Sequence, residues 1–186
     1  MRSLRASKIA ALLLAALPVT FAGEVSAHRR DEYLQAARIG IEADRIHLEL
    51  ALTPGIAVAG TVIRDIDHDR DGTLSQTERQ AYARRVLGFV RIHVDGSEPL
   101  HLAVASSRFP DLEAMRGGDG TIAIQSDVLI PPLTAGTHRL LFRNRNAASN
   151  LVFLANALAP ATDRIAITGQ RRDRDQRELT IEFVVR

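Results

Sequence analysis

Cysteine is absent from the chain of 186 residues. That excludes disulfides, thiolate metal sites, a cysteine nucleophile and a lipidated N-terminal cysteine. Tryptophan is also absent, and aromatic residues make up only 4% of the sequence, which leaves little from which to build a stacking surface for sugars or bases. Lysine occurs once, at Lys8. No G-x-S-x-G elbow, H-E-x-x-H pair or phosphate-cradling glycine loop is present, so the motifs spell out no enzymatic reaction. Past the first 27 residues no stretch is apolar enough to cross a bilayer.

Residues 1–27 have the make-up of a secretory signal peptide. Arg2, Arg5 and Lys8 give a basic start, Ile9 to Phe21 an apolar stretch, and Val25-Ser26-Ala27 a small-residue cleavage site. The apolar stretch is short and interrupted by Pro18, which favours a cleaved leader over a membrane anchor. The expectation is a mature chain that begins at His28, is periplasmic or secreted, and has no membrane span. The leader holds three of the 24 basic residues and one of the 22 acidic ones (Glu24), leaving 21 of each in the remainder. The high pI of 9.6 therefore says nothing about nucleic acid, and a nucleic-acid partner is not expected. With Lys8 removed, every basic side chain other than histidine is arginine. Residues 28–186 are enough for one well-buried domain.

Apolar and polar residues alternate along most of that domain. Ile39 and Ile41, then Ile46, Leu48, Leu50 and Leu52, predict two strands with a turn near Glu42–Asp44. Val90, Ile92 and Val94 predict a third. The turn Asp95-Gly96 leads to a fourth through Leu100, Leu102 and Val104. Five more follow near Thr121–Ile130, His138–Arg143, Asn150–Ala157, Arg164–Gly169 and Glu178–Val185, separated by proline- and glycine-containing or polar breaks. Arg108–Gly120 reads as a long loop with one helical turn around Leu112–Met115. About nine short strands predict a mainly β fold, an immunoglobulin-like β-sandwich, with a helical insertion at about 55–88.

That insertion surrounds the densest motif in the chain, Asp67-His68-Asp69-Arg70-Asp71-Gly72-Thr73-Leu74-Ser75-Gln76-Thr77-Glu78. Asp67, Asp69 and Asp71 offer side-chain oxygens at the first, third and fifth positions. Gly72 permits a sharp turn at the sixth, Thr73 offers its carbonyl at the seventh, Ser75 reaches the ion directly or through water at the ninth, and Glu78 supplies two oxygens at the twelfth. Starting instead at Asp65 would put Arg70 where glycine belongs and Gln76 where the glutamate belongs, so only one register fits. Three Asp, one Gly and one Glu at fixed places coincide by chance on the order of once in a million windows. Ca2+, a hard dication that takes several oxygens, is the expected cofactor. His68 and Arg70 should point outward.

The loop resembles the EF-hand. The resemblance implies an entering helix over roughly Ala57–Ile66 and an exiting helix over roughly Gln76–Leu87, with Ser75 and Glu78 also forming a capping box. It places Leu74 at the family's eighth position, which joins a short strand pair. EF-hands come in pairs, yet no second loop is found: Asp173-Arg174-Asp175-Gln176-Arg177-Glu178 lacks the glycine and ends too soon, and reads as a charged turn. More broadly, the run from His28 to Gln35, Leu52-Thr53-Pro54-Gly55, the calcium loop, Phe142-Arg143-Asn144 and Gln170-Arg171-Arg172-Asp173 resemble a group of uncharacterised exported bacterial proteins. Similar domains look to occur beside metal-transport-like membrane modules. That resemblance implies calcium binding and export, and brings no reaction.

An unpaired EF-hand raises the possibility of a protein partner or a homodimer through the insertion, using Val62, Ile63, Ile66, Leu87 and Phe89, although packing of these on the sandwich is the simpler expectation. The alternative function is transition-metal binding. His28 at a free N-terminus would offer an amine and an imidazole to copper or nickel, though Arg29 and Arg30 oppose a cation. His47, His93 and His101 lie on the polar side of their strands. They would meet if Val90–Val94 paired with Leu100–Val104, placing Arg91 opposite His101, beside Ile46–Leu52.

Overall fold

The alternation becomes strands wherever a neighbouring strand is present to take the backbone hydrogen bonds. In the computed structural model, which describes residues 31–186, the elements in chain order are β1 (Tyr33–Ile41), β2 (Arg45–Pro54), α1 (Ile56–Ile66), α2 (Gln76–Gly88), β3 (Val90–Val94), β4 (Ser106–Arg108), α3 (Leu112–Gly117), β5 (Ile122–Leu129), β6 (Gly136–Asn144), β7 (Leu151–Ala157), β8 (Ile165–Arg172) and β9 (Glu178–Val185). The proposed leader and His28 lie outside the described residues. The fold is mainly β, with a five-stranded sheet in the order β4-β5-β2-β1-β7 and a four-stranded sheet in the order β3-β6-β9-β8. Described pairings are antiparallel except β1 with β7, which run parallel.

Both sheets contribute to one buried core. Ile39, Leu48, Leu50 and Ile124 come from the first sheet, and Ile92, Leu140, Phe142, Ile181 and Phe183 from the second. The polar residues of the same strands face outward, where Arg38 pairs with Glu49 across β1 and β2 and Arg143 with Glu178 across β6 and β9. One polar link crosses the core: the buried Asn144 Nδ2 on β6 donates to Gln35 Oε1 on β1 at 3.0 Å.

Two strand expectations need correction. The first strand begins at Tyr33 rather than Arg38, because buried Gln35 and small Ala37 blur the apolar signal on its inner face. The expected strand Leu100–Val104 is not formed. β3 pairs with β6 instead, and Leu100 N–H to Ile92 O is what survives of the hairpin. Leu100, Leu102 and Val104 are partly buried against the core, so their alternation reflects packing of an extended segment that crosses from one sheet to the other. Beyond it, Ala105 N–H reaches Gln125 O and β4 joins the edge of β5. Arg91 accordingly sits opposite Arg143, not His101.

The Asp95-Gly96 turn forms as expected, both residues having positive φ (51° and 73°). It is clasped to β6. Asp95 Oδ1 accepts the Arg139 N–H at 2.8 Å and Oδ2 contacts His138 Nδ1 at 2.6 Å, while His138 Nε2 faces Thr134 O at 2.9 Å. Two acceptors on one ring favour the imidazolium, because a neutral ring has only one N–H. The bond to Asp95, then that to Thr134, raise the His138 pKa above 6.5. Burial works against ionisation of Asp95, but the bonds from His138 and the Arg139 N–H outweigh it and hold the carboxyl below 3.8. The clasp is therefore fully charged and fully stabilising between about pH 4 and pH 6.5. Its histidine part is lost as pH rises through the raised His138 value, and its aspartate part as pH falls through the lowered Asp95 value. In urea unfolding, the stability difference between wild type and His138→Gln should shrink as pH is raised from 6 toward 9; a constant difference would refute the charged clasp.

Candidate metal centre

Helix α1 buries Ala59, Val62, Ile63 and Ile66, the i, i+3, i+4, i+7 stripe that lays one helix face on the body. Asp67 follows at its C-terminus, with its N–H bonded to Ile63 O at 2.8 Å. Helix α2 starts at the capping box read from the sequence: Ser75 Oγ accepts the Glu78 N–H, and Glu78 Oε2 accepts the Ser75 N–H at 2.9 Å. Both helices fall within about a residue of their expected bounds. Between them Gly72 turns with φ 82°, in the left-handed region that glycine enters without steric cost.

The three aspartates converge. One carboxylate oxygen from each of Asp67, Asp69 and Asp71 lies within 4.8 Å of the others, the one acidic or histidine grouping of this kind among the described residues. Each also holds the loop with another bond: Gly72 N–H to Asp67 Oδ2 at 3.1 Å, Asp71 N–H to Asp69 Oδ1 at 3.2 Å, and Thr73 N–H and Oγ1 to Asp71 Oδ1 at 2.7 and 2.8 Å. Asp69 and Asp71 are exposed. Asp67 is buried, and its Oδ1 has no hydrogen-bond partner. A buried carboxylate oxygen left without a donor is costly unless a cation or water faces it. Three like charges at this separation repel by about 1–3 kcal/mol per pair, depending on solvent screening. The residues present therefore fit a hard cation.

Glu78 reaches back over the loop. Its Oε1 accepts the His68 N–H at 2.6 Å and its Oε2 the Ser75 hydroxyl at 2.7 Å. These bonds, that from the Ser75 hydroxyl foremost, lower its pKa to about 2, so it is an anion at any ordinary pH. Its position ties the last residue of the motif to the residue after the first. Ser75 and Thr73 lie on the same turn, with their hydroxyls engaged by Glu78 and Asp71. His68 and Arg70 are exposed, as expected. Leu74 is buried in the core, but no strand forms there. The Asp173–Glu178 segment is a turn between β8 and β9, closed by Glu178 N–H to Asp173 Oδ1 at 2.8 Å.

The strand histidines do not gather. His47 on β2 contacts Asp127 of β5 at 2.8 Å, His93 on β3 contacts Ser97 O at 2.8 Å, and β2 and β3 belong to different sheets. His101 lies on the extended segment after the turn, exposed. The reason is the pairing of β3 with β6, which removes the juxtaposition on which the cluster depended.

Two features around the loop were not read from the sequence. Asp65, rejected as a loop start, instead reaches from α1 to Arg85 of α2, whose guanidinium also bonds Asp65 O at 3.1 Å. The Tyr82 hydroxyl of α2 meets the Tyr33 hydroxyl of β1 at 2.6 Å, both residues being buried. The sole sequence signal for that pair is that these are the chain's two tyrosines.

The chain matches no protein-family model, and no curated protein matches it, so the likeness to the EF-hand rests on residues and their spacing alone.

Proposed function

We propose that this is an exported calcium-binding protein in which the ion fixes the angle between α1 and α2 on an immunoglobulin-like body. The observation that carries the reading is that Asp67, whose buried Oδ1 has no hydrogen-bond partner, converges with the carboxylates of Asp69 and Asp71. Glu78, Ser75 and the Thr73 carbonyl would complete the oxygen shell. A bound calcium ion would supply positive charge to a loop that otherwise holds several anions close together.

A structural role is favoured over partner docking by what α1 and α2 already cover. Val62, Ile63, Ile66 and Leu87 are buried against the protein's own core, while Phe89 is 36% exposed. Of these five residues, only Phe89 keeps apolar surface for a second copy. No helix among the described residues is long and apolar enough to cross a membrane. Export itself rests on the basic and apolar pattern of residues 1–27.

The expected result is a calcium-dependent rise in melting temperature that magnesium reproduces weakly, because magnesium demands a tighter octahedral shell and sheds water reluctantly. Extracytoplasmic sites of this kind bind with dissociation constants of roughly 10⁻⁴–10⁻³ M. At about a hundredfold excess over that constant, calcium adds about 2.7 kcal/mol of stability. An unchanged melting curve at about 10 mM calcium, roughly ten- to a hundredfold above that constant, would remove the reading.

A further inference from the structure

Between α1, α2, Tyr33 of β1 and residues 146–151 lies a cleft of about 740 Å³, within the range of roughly 300–1,000 Å³ that small-molecule sites occupy. Its walls are mixed. Val58, Val62, Phe89 and Leu151 give it an apolar side, and Arg64, Asp65 and Arg85 a charged one. Asp65 is already joined to Arg85. Arg64 donates only to Thr61 Oγ1, at 3.0 Å, and has no carboxylate partner among the described residues. The lining thus carries one uncompensated positive charge.

Tyr33 and Tyr82, 8% and 5% exposed, line the same cleft. Their hydroxyl oxygens are 2.6 Å apart. One hydroxyl hydrogen fills that bond, and the other needs an acceptor elsewhere. None of the described residues provides one. Burial raises the Tyr82 pKa to about 12 and that of Tyr33 well above its ordinary value, so both hydroxyls stay protonated and one remains a spare donor. Beside them Arg85 lies over the Tyr82 ring, 5.1 Å from its centre.

We infer that the cleft binds a small organic monoanion, a carboxylate with an apolar body. The carboxylate would take the spare tyrosine hydrogen and the charge of Arg64, and the body would lie on Val58, Val62 and Phe89. Charge-assisted hydrogen bonds from guanidinium and hydroxyl prefer such an anion to its neutral amide. This site is separate from the aspartate loop and its donors do not depend on an ion there.

The protein carries its own reporter, because Tyr33 and Tyr82 are its two tyrosines and it has no tryptophan. Sodium hexanoate, titrated into the purified protein at constant ionic strength, is expected to change tyrosine emission saturably. Hexanamide should bind about tenfold more weakly, and Arg64→Met, at an exposed position, should weaken hexanoate about tenfold while leaving hexanamide unaltered. A flat titration, equal responses to acid and amide, or an Arg64→Met protein that binds hexanoate like wild type would each overturn the assignment and leave the cleft holding water only. Tyrosine emission with hexanoate and melting with calcium are separate readouts, so either reading can fail alone.

Discussion

Asp67→Asn is expected to abolish the calcium-dependent rise in melting temperature while leaving the calcium-free protein at least as stable as wild type. The two halves have one cause. Asp67 is buried with one oxygen unpartnered and two other carboxylates close by. Asparagine removes the charge, and with it two of the three pairwise repulsions, yet keeps a carbonyl that can accept the Gly72 N–H now taken by Oδ2. If the residue served only to brace the turn, asparagine would do as well and calcium would still stabilise the variant. In wild type the calcium term of about 2.7 kcal/mol at a hundredfold excess corresponds, in a chain of this size, to a rise of about 5–10 °C. Differential scanning calorimetry of both proteins, with calcium and with a chelator, reads all four states. A variant that keeps most of that rise contradicts the assignment of Asp67 as a ligand.

The second large effect lies in the body. Phe142 sits on β6, an inner strand of the four-stranded sheet, and is 1% exposed. Phe142→Ala is expected to cost about 3–5 kcal/mol, the lost transfer free energy plus the cavity left behind. That is a large part of the roughly 5–15 kcal/mol available to a domain. The neighbours on either side, Ile92 on β3 and Leu179 on β9, are held in register by backbone bonds and cannot close the gap without breaking them. Urea unfolding should show a lower midpoint with an unchanged slope. A loss below about 1 kcal/mol would mean that the two sheets do not share this core.

How far the sequence could be read depended on whether the relevant physics was local. The Ser75/Glu78 cap and the bounds of α1 and α2 depend on residues a few positions apart, and they emerged nearly intact; of the loop's expected ligands, Asp67, Asp69 and Asp71 converge. β9 was read to the residue, because its alternation of Leu179, Ile181, Phe183 and Val185 faces a single buried side. Leu100–Val104 shows the limit. Alternation reports which side of an extended segment is covered, and carries no information about whether a neighbour's N–H and C=O groups are free. β6, more than forty residues away, takes the place beside β3, and the fourth strand moves to Ser106–Arg108.

Contacts between distant residues were illegible for the same reason. Tyr33 meets Tyr82, and Asn144 meets Gln35, only because the sheets bring them together. The parallel pairing of β1 with β7 had no local signature either, since both strands alternate as an antiparallel pair would. The histidine cluster failed on this point, its members being dispersed by a pairing that spacing does not encode. Conversely, the buried unpartnered Asp67 Oδ1 gives the metal reading a physical basis that a motif match lacks.

Isothermal titration of the purified protein with calcium at neutral pH, wild type beside Glu78→Gln, tests the central claim most directly. The account predicts a single binding event for wild type with a dissociation constant of roughly 10⁻⁴–10⁻³ M, at least about tenfold weaker once the twelfth-position carboxylate is neutralised. Absence of heat at millimolar calcium, or an isotherm for Glu78→Gln that overlays wild type, would contradict it.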